Sequence, residues 1–233
     1  MEEKAYFDTN QKIIDQKKHN IIIPVCLGNK FFVADKKVTD NFRYYIDYAL
    51  KRTKEKVLVL IADKVQDTNY IVRNKNKNEA SNKRRVMREG LEVYISAIEL
   101  IEKKFKSNKD RLLVVRWEDY EKKDLYFEET RIIVYDEFRS NKVFAAHVLE
   151  TIKTTVLDKS FSESEYLRLC NYILDEFSLC YSGVNYYDIQ YDLMIYPNID
   201  TTLYFFQDLK DGKIYKRLTA KLPKKKLAYL IIN

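Results

Sequence analysis

The chain has 233 residues, of which 46% are hydrophobic, and a formal net charge of +7. Its three cysteines provide neither a disulfide framework nor a Cys-x-x-Cys zinc motif, and no apolar run reaches the roughly 20 residues of a membrane helix. The charged N-terminus has no apolar signal core. We therefore expect one domain over residues 1–233, in a cytoplasmic monomer with reduced thiols and neither a metal site nor a membrane contact.

The first predicted element is a strand that ends at a thiol. Ile21–Val25 is an apolar, β-branched run of the kind found in buried parallel strands. Cys26 follows this run, and Gly28 and Asn29 then predict a turn. Because ligands bind beyond the carboxyl ends of strands in open α/β sheets, Cys26 is a candidate nucleophile. The alternative is that Cys26 only packs as a small apolar residue.

Strands and amphipathic helices alternate along the rest of the chain. Further strands are predicted at Val57–Ala62, Leu112–Arg116, Tyr191–Ile195 and Leu227–Ile232, and helices at Asp40–Arg52, Glu79–Phe105, Glu128–Phe138, Val143–Leu157, Glu163–Tyr181 and Thr201–Leu209. This alternation predicts an α/β fold in which helices cover both faces of a five-stranded parallel sheet. The longest stretch without a regular pattern, Lys64–Asn82, is predicted to be a loop.

Two short segments carry a concentrated positive charge. Residues 73–88 hold seven cations against one anion, and residues 210–226 hold eight against one, so the remainder of the chain is acidic. Such concentration is typical of a site for a polyanion, and arginine favours phosphate. Six cations are predicted on or beside one helix face: Arg73, Lys77, Lys83, Arg84, Arg85 and Arg88. The buried stripe predicted for this helix is Met87, Leu91, Tyr94, Ile98 and Ile101. The alternatives are a solvated lysine-rich loop for the first segment and an undefined role for the second.

Two later parts of the chain supply groups that could act beside a thiol. Tyr172 and Glu176 are four residues apart, and therefore lie on one face of their predicted helix. Tyr196 follows the predicted fourth strand, again at a carboxyl end. We expect these side chains to share a pocket with Cys26, although a surface contact or ordinary packing would explain each of them alone.

The order of these groups resembles the motifs of the cyclodipeptide synthases. That family has Gly-x-Ser, two further residues, Asn and an aromatic pair, where this chain has Pro24–Phe32, with the sequence PVCLGNKFF. The family's Tyr-x-x-x-Glu is similar to Tyr172 and Glu176, and its apolar strand ending in Tyr is similar to 193–196. Pro197 after that tyrosine is similar to the Tyr-Pro branch. The resemblance spans about residues 19–232.

The resemblance implies a Rossmann-like fold similar to the catalytic domains of tyrosyl- and tryptophanyl-tRNA synthetases. It implies an enzyme without a cofactor that makes a 2,5-diketopiperazine from two aminoacyl-tRNAs by ping-pong transfer. The first aminoacyl group passes to the nucleophile, the second aminoacyl-tRNA reacts with this acyl-enzyme to give a dipeptidyl-enzyme, and cyclisation frees the product. By this resemblance Cys26 is the nucleophile, Tyr172 and Glu176 hold the first ammonium group, and Tyr196 assists proton transfer.

Binding residues follow from the same resemblance. The turn residues Gly28 and Asn29 would contact the substrate. The basic helix lies where the family has its tRNA-binding face of Arg and Lys. A side-chain pocket is expected from Leu58, Leu60, Leu179 and Met194. Because these residues offer no charge, the pocket favours a hydrophobic aminoacyl group.

The inventory of motifs agrees with a substrate that arrives already activated. The sequence has no Walker-type loop and neither of the synthetase ATP motifs, and its two histidines suggest no triad. Cys26 stands where the family has serine, and Pro24 where it has glycine. Three alternatives remain: a natural or engineered Ser-to-Cys form, a non-catalytic aminoacyl-tRNA or RNA-binding homologue, and a cysteine acyltransferase unrelated to tRNA, which leaves the basic helix unexplained.

Overall fold

A computed structural model of the chain describes residues 3–6, 19–156, 160–197, 205, 208–209, 212–222 and 228–232. The strands in this part of the chain are β1 (Glu3–Tyr6), β2 (Ile21–Cys26), β3 (Val33–Ala34), β4 (Lys37–Val38), β5 (Val57–Ala62), β6 (Leu112–Arg116), β7 (Val184–Tyr186), β8 (Ile189–Tyr191), β9 (Leu193–Tyr196) and β10 (Ala228–Ile232). The α-helices are α1 (Asp40–Arg52), α2 (Asp67–Arg73), α3 (Glu79–Lys104), α4 (Trp117–Glu121), α5 (Leu125–Ser140), α6 (Lys142–Thr155), α7 (Glu163–Ser182) and α8 (Lys216–Lys221).

One sheet organises these elements, with the strand order β1-β10-β9-β2-β5-β6. Neighbouring strands from β10 to β6 pair in parallel, whereas β1 adds an antiparallel edge to β10. The predicted α/β fold with a parallel sheet is therefore confirmed, but within the described residues the sheet has six strands rather than five. Strand β1 was missed because its short, charged sequence has no apolar run.

Alternate side chains of the central strands divide the interior into two cores. Leu58 and Leu60 of β5 pack with residues of α5, α6 and α7 on one face of the sheet. Val57, Val59 and Ile61 pack with α1 and α3 on the other face. Every residue of β5 is buried, as expected for a parallel strand with both faces covered.

Most predicted elements agree with the observed bounds. Helix α1 and strands β5 and β6 have the predicted bounds, and β2, α3, α5, α6 and α7 agree to within three residues. The predicted strand at Tyr191–Ile195 divides, because Tyr191 ends the β7–β8 hairpin and β9 runs from Leu193. The predicted helix at Thr201–Leu209 and much of the 210–226 segment lie outside the described residues. No helix that the structure describes is long and apolar enough to cross a bilayer.

The segment Lys64–Asn82 is not the loop that its sequence predicts. Lys64–Gln66 forms a 3-10 turn that continues directly into α2. Asp63 starts this turn, since its side chain accepts a hydrogen bond from the backbone N–H of Lys64 at 2.7 Å. Helix α2 has only seven residues, of which Val72 is the buried one, so it lacks the apolar periodicity that would have predicted it.

Helix α3 begins at Glu79, after two of the cations that were predicted to lie on its basic face. Asn78 caps it by accepting a hydrogen bond from the backbone N–H of Ser81 at 2.8 Å. Arg73 ends α2 and Lys77 lies between the helices, so the prediction that both share one helix face with Arg84 is wrong. The buried stripe also differs from the prediction: it is Asn82, Val86, Gly90, Val93, Ala97 and Ile101. Leu91 of the predicted stripe is exposed.

Helix α7 starts with a capping box that fixes which face it presents. The Ser162 side chain accepts from the backbone of Glu165, and the Glu165 carboxylate accepts from the backbone of Ser162 at 2.8 Å. The helix ends at Gly183, whose φ of 72° is costly for residues with a side chain. Both ends of the helix that carries Tyr172 and Glu176 are therefore set by local sequence.

Candidate active site

The thiol of Cys26 lies at the carboxyl end of the central strand β2, beside Ala62 of β5. The backbone turns immediately, because the Asn29 N–H donates to the Cys26 carbonyl at 3.0 Å. The Asn29 side chain in turn accepts from the N–H of Phe31 at 3.0 Å. The three cysteines, all within the described residues, form no disulfide; Cys26 is half-buried, whereas Cys170 and Cys180 are buried. The turn thus leaves Cys26 as the accessible thiol.

The end of the neighbouring strand β9 brings Tyr196 to this thiol. The Tyr196 hydroxyl donates to the Cys26 sulfur at 3.8 Å, and the Asn29 side-chain amide donates to the Tyr196 oxygen at 3.2 Å. Burial raises the pKa of Tyr196 well above its usual range, and the charges of Cys26 and Glu176 raise it further. Tyr196 is therefore a neutral hydroxyl at physiological pH, able to donate to sulfur and accept from Asn29.

Helix α7 supplies the acidic part of the site. The Tyr172 hydroxyl donates a hydrogen bond to Glu176, as their four-residue spacing predicts. Burial raises the pKa of Tyr172 well above its usual range, and the nearby charges of Glu176 and Cys26 contribute in the same direction. These electrostatic interactions connect α7 with both strand ends. Together they form one cluster of a thiol, two neutral phenols and a carboxylate.

A cavity of about 740 Å³ contains this cluster. Its described lining is Cys26, Gly28, Asn29, Lys30, Phe31, Gln66, Asn69, Arg73, Ile152, Thr155, Val156, Tyr172, Ile173, Glu176 and Tyr196. The four predicted catalytic residues and both turn residues are thus in one cavity. Lys30 and Arg73 are exposed at its rim, whereas Glu176 is the carboxylate of the half-buried interior. Among the described residues, no group of three or more potential ligands could hold a metal ion.

The predicted apolar pocket residues do not line this cavity. Leu58, Leu60, Leu179 and Met194 are at most 3% exposed and belong to the core between the sheet and α5–α7. These four side chains pack against other apolar side chains of the core and do not reach the cavity surface. The apolar part of the cavity wall comes instead from Ile152, Val156 and Ile173. Those residues lie on α6, directly after it, and on α7.

The sequence analysis did not identify Gln66 and Asn69, and it placed Arg73 on the basic helix face rather than in the Cys26 cavity. All three line the Cys26 cavity, and the Asn69 amide donates to the Gln66 carbonyl oxygen at 2.7 Å. Their spacing of three and then four residues is that of one helix face. This signal could have been found if α2 had been predicted.

A buried ion pair holds the start of α2 in position. Asp63 follows β5 and is fully buried, and Arg116 at the end of β6 donates to its carboxylate at 2.6 Å. Arg116 also donates to the Met87 carbonyl of α3 at 2.9 Å. Burial raises the pKa of Asp63, and the charge of Arg116 opposes that rise. The pair therefore ties β5, β6 and α3 to the turn that leads into the cavity wall.

The basic segment 73–88 is partly neutralised on its own surface. Lys83 pairs with Glu79 at 2.9 Å and Arg85 with Glu89 at 2.8 Å, while Arg88 lies 3.9 Å from Glu92. Arg73, Lys77 and Arg84 are exposed and have no carboxylate within ion-pair distance in the part of the chain that the structure describes. The Lys83 and Arg88 pairs are exposed and contribute little free energy, whereas Glu89 is mostly buried and also accepts a hydrogen bond from Tyr70.

No protein-family model matches the chain, and no curated protein matches it by sequence. Solved structures match over nearly its whole length. A cyclodipeptide synthase from Bacillus thermoamylovorans is 16% identical with a TM-score of 0.71, and the match covers 100% of this chain and 96% of that chain. A Mycobacterium tuberculosis protein, reported to relate cyclodipeptide synthetases to type I tRNA synthetases, is 13% identical with a TM-score of 0.72, covering 98% and 91%.

A third similar structure contains a nucleic acid. It is a cyclodipeptide synthase from Candidatus Glomeribacter gigasporarum bound to Phe-tRNAPhe, 15% identical with a TM-score of 0.57, and the match covers 96% of this chain and 92% of that chain. The chain therefore has the Rossmann-like fold of the cyclodipeptide synthases.

Proposed function

We propose that this protein forms cyclic dipeptides from two aminoacyl-tRNAs, through acyl intermediates on Cys26. The observation that carries the proposal is the cluster of Cys26, Tyr172, Glu176 and Tyr196 in one cavity of a fold shared with cyclodipeptide synthases. Charged tRNA is a cytoplasmic substrate, so the reaction would take place in the cytoplasm. The whole chain, 1–233, would act as one domain.

In the first step the sulfur of Cys26 attacks the ester carbonyl carbon of an aminoacyl-tRNA. A C–S bond forms, the C–O bond to the terminal ribose breaks, and the thiol proton passes to the ribose oxygen. The ribose hydroxyl next to the ester can relay this proton. Tyr196, hydrogen-bonded to the sulfur, assists the transfer as a neutral hydroxyl.

In the second step the amino group of the enzyme-bound residue attacks the ester of the second aminoacyl-tRNA. A peptide bond forms and the second tRNA leaves, which gives a dipeptidyl thioester on Cys26. The new N-terminal amine then attacks the thioester carbonyl. The C–N bond closes the six-membered ring, the C–S bond breaks, and the sulfur takes up a proton.

Glu176 and Tyr172 would position the first aminoacyl group. Glu176 is the carboxylate among the described lining residues, and the ammonium group is the cation that every aminoacyl ester carries. A carboxylate in a half-buried cavity forms a stronger, charge-assisted hydrogen bond with such a group than an exposed one does. The Ile152, Val156 and Ile173 wall favours an apolar side chain on that residue.

Intact-mass spectrometry after mixing with charged tRNAs tests the proposal. We expect the mass of one aminoacyl group on the parent protein and on Cys180→Ala, a control that also lacks one thiol. Cys26→Ala should show no adduct, whereas Cys26→Ser should keep diketopiperazine synthesis. Product formation by Cys26→Ala at the parent rate would overturn the assignment, and tRNA binding without an adduct would indicate a non-catalytic binding protein.

A further inference from the structure

One wall of the catalytic cavity has no role in the chemistry described above. Gln66, Asn69 and Arg73 line this wall from α2 and the turn before it, in the same cavity as Cys26 and Glu176. From Gln66 to Arg73 the helical rise is about 10 Å. The wall is therefore a polar strip that runs from the buried Gln66 to the exposed Arg73.

Unlike Lys75, Lys83 and Arg85, Arg73 has no carboxylate partner among the described residues; Lys77 and Arg84 share this property but do not line the Cys26 cavity. Lys75 pairs with Glu165 at 2.7 Å, and Lys83 and Arg85 pair with glutamates of their own helix. Arg73 has no such pair within the described ranges, and it is exposed at the cavity. An exposed guanidinium without a carboxylate partner is suited to a phosphate group, which it can bind through two parallel hydrogen bonds.

The charges of an aminoacyl-tRNA indicate which of its anionic groups Arg73 would bind. The carboxyl group of an aminoacyl ester is esterified, so the aminoacyl part brings an ammonium group and no anion. The phosphate nearest to the ester is the one on the 5′ side of the terminal nucleotide. A positive rim with a carboxylate inside matches a ligand that is negative at its nucleotide and positive at its amino group.

Gln66 and Asn69 add hydrogen-bonding groups next to this charge. Their mutual hydrogen bond uses the Asn69 amide and the Gln66 oxygen. The Asn69 oxygen and the Gln66 NH2 group have no other hydrogen-bond partner among the described residues, so this part of the cavity lining offers an acceptor and an NH2 donor to a ligand. Such a pair suits a nucleoside, whose hydroxyls and base edge also both donate and accept.

We propose that Gln66, Asn69 and Arg73 form the subsite for the 3′-terminal nucleotide of the aminoacyl-tRNA. Arg73 binds its 5′ phosphate, and the Gln66–Asn69 pair binds its nucleoside. The proposal rests on the proposed function and gives Arg73 a different task from Arg84 of α3, for which the family resemblance predicts contact with the tRNA. The subsite aligns the ester with the Cys26 sulfur and therefore acts before bond formation.

Acylation of Cys26 by three donors of decreasing size tests the subsite. The donors are a full aminoacyl-tRNA, an aminoacylated trinucleotide with the sequence CCA, and an aminoacyl cyanomethyl ester without a nucleotide. For Arg73→Ala we expect a rate ten- to a hundredfold lower with the first two donors, since the variant cannot form the charged hydrogen bonds, and an unchanged rate with the ester. Asn69→Ala should show the same pattern with a smaller effect, and Arg84→Ala should slow the full tRNA alone.

The three donors separate the possible failures. If Arg73→Ala slows the full tRNA but not the trinucleotide, Arg73 belongs with Arg84 and the subsite is refuted. If the small ester is slowed equally, Arg73 supports the cavity structurally, which also refutes it. A parent protein that no donor acylates would refute the proposed function itself, and with it the subsite.

Discussion

The sequence of this chain resembles the cyclodipeptide synthases, and at Cys26 it has a sulfur where that family has the oxygen of a serine. Sulfur is the stronger nucleophile, and the thioester that it forms is more reactive than an ester. The surrounding groups suit this chemistry, because burial keeps the hydroxyls of Tyr172 and Tyr196 neutral. The carboxylate of Glu176 is then the group of this cluster that offers a substrate a negative charge.

The role of Glu176 can be separated from that of an adjacent carboxylate on the same helix. Glu176→Gln keeps the shape but removes the charge, so we expect acylation of Cys26 to fall by orders of magnitude. Tyr172→Phe removes one hydrogen bond to the Glu176 carboxylate, worth roughly 1.5–3 kcal/mol, and should slow acylation by about ten- to a hundredfold. Single-turnover mass spectrometry with aminoacyl-tRNA measures both rates.

Asp175→Asn is the matched control for Glu176→Gln. Asp175 pairs with Arg131 at 3.0 Å and accepts from Tyr135 at 3.1 Å, away from the Cys26 cavity. Its substitution should lower the free energy of unfolding but leave the acylation rate near that of the parent. Equal acylation rates for Glu176→Gln and the parent would mean that the Tyr172–Glu176 pair is structural.

At the scale of elements, the sequence predicts the helices and strands that have a clear hydrophobic periodicity. It misses the short elements that depend on turns or on tertiary contacts. Helix α1 has its predicted bounds because Thr39 caps it, Asp40 opens it and Lys51 lies in its last turn. Helix α2 is short, polar and held by the Asp63 ion pair, a tertiary contact that no local pattern reports.

The two hairpins, β3–β4 and β7–β8, were missed for a related reason. Their turn residues Asp35, Lys36, Tyr187 and Asp188 have φ values between 47° and 62°. Two-residue hairpin turns require such left-handed backbone, which glycine and asparagine usually supply. This chain adopts it with Asp-Lys and Tyr-Asp, so the usual sequence signal is absent. The β7–β8 sheet is instead supported by Asp124, which accepts from the backbone of Asn185 at 2.8 Å.

The close approach of α3 to Asp63 makes Gly90 sensitive to substitution. A Cβ at Gly90 would lie 2.4 Å from the Cβ of Asp63, which the Arg116 ion pair holds in place. We expect Gly90→Ala to lower the free energy of unfolding by about 2–3 kcal/mol, as overpacking does. Gly28→Ala is the control, because no atom lies within 4 Å of the Cβ it would introduce. Equal stability of the two variants in urea denaturation would contradict this account.

Asp67 at the start of α2 should make the stability depend on pH. Burial raises its pKa to about 6; Asp63 and Glu121 add to the rise, while Lys83 and Lys64 oppose it. An acid with a higher pKa in the folded state binds its proton more tightly there, so the free energy of unfolding decreases as the pH rises from about 4 to about 6.

Asp67→Asn removes this titration. We expect the difference in unfolding free energy between the variant and the parent to grow in favour of the variant by roughly 1–2 kcal/mol from pH 4 to pH 7, after allowance for solvent screening. Urea denaturation at several pH values measures this difference. A constant difference across the range would show that Asp67 titrates normally.

At the scale of the whole molecule, the sheet separates the core formed with α5–α7 from the core formed with α1 and α3. The Cys26 cavity lies between the strand ends and α7, whereas α3 packs on the opposite face of the sheet with α1. The order of motifs was enough to predict that Cys26, Tyr172, Glu176 and Tyr196 meet at the strand ends. Which apolar residues line the cavity depends on the depth of packing, which the sequence does not report: Leu58 and Leu60 lie in the core and not among the described lining residues.

The proposed function would place the binding of the tRNA body on α3 and the chemistry in the Cys26 cavity, and salt can separate these two roles in experiment. Removing one phosphate-binding cation from an RNA-binding surface reduces the slope of log affinity against log salt by about one unit or somewhat less. Replacing Arg84 and Arg88 by alanine should therefore weaken tRNA binding and lower the salt slope by about one to two units. Acylation of Cys26 by an aminoacyl cyanomethyl ester should depend little on salt in any variant.

Lys103 and Lys104 provide the control for charge alone. They lie in the last turn of the same helix, about 30 Å along its axis from Arg84, and are exposed. Replacing both by alanine removes the same formal charge as the arginine pair, and should change the salt slope much less if binding is local to the N-terminal half of α3. Equal slopes for the two double variants would mean that tRNA responds to the net charge of the molecule, and that the arginines of α3 bind no specific phosphates.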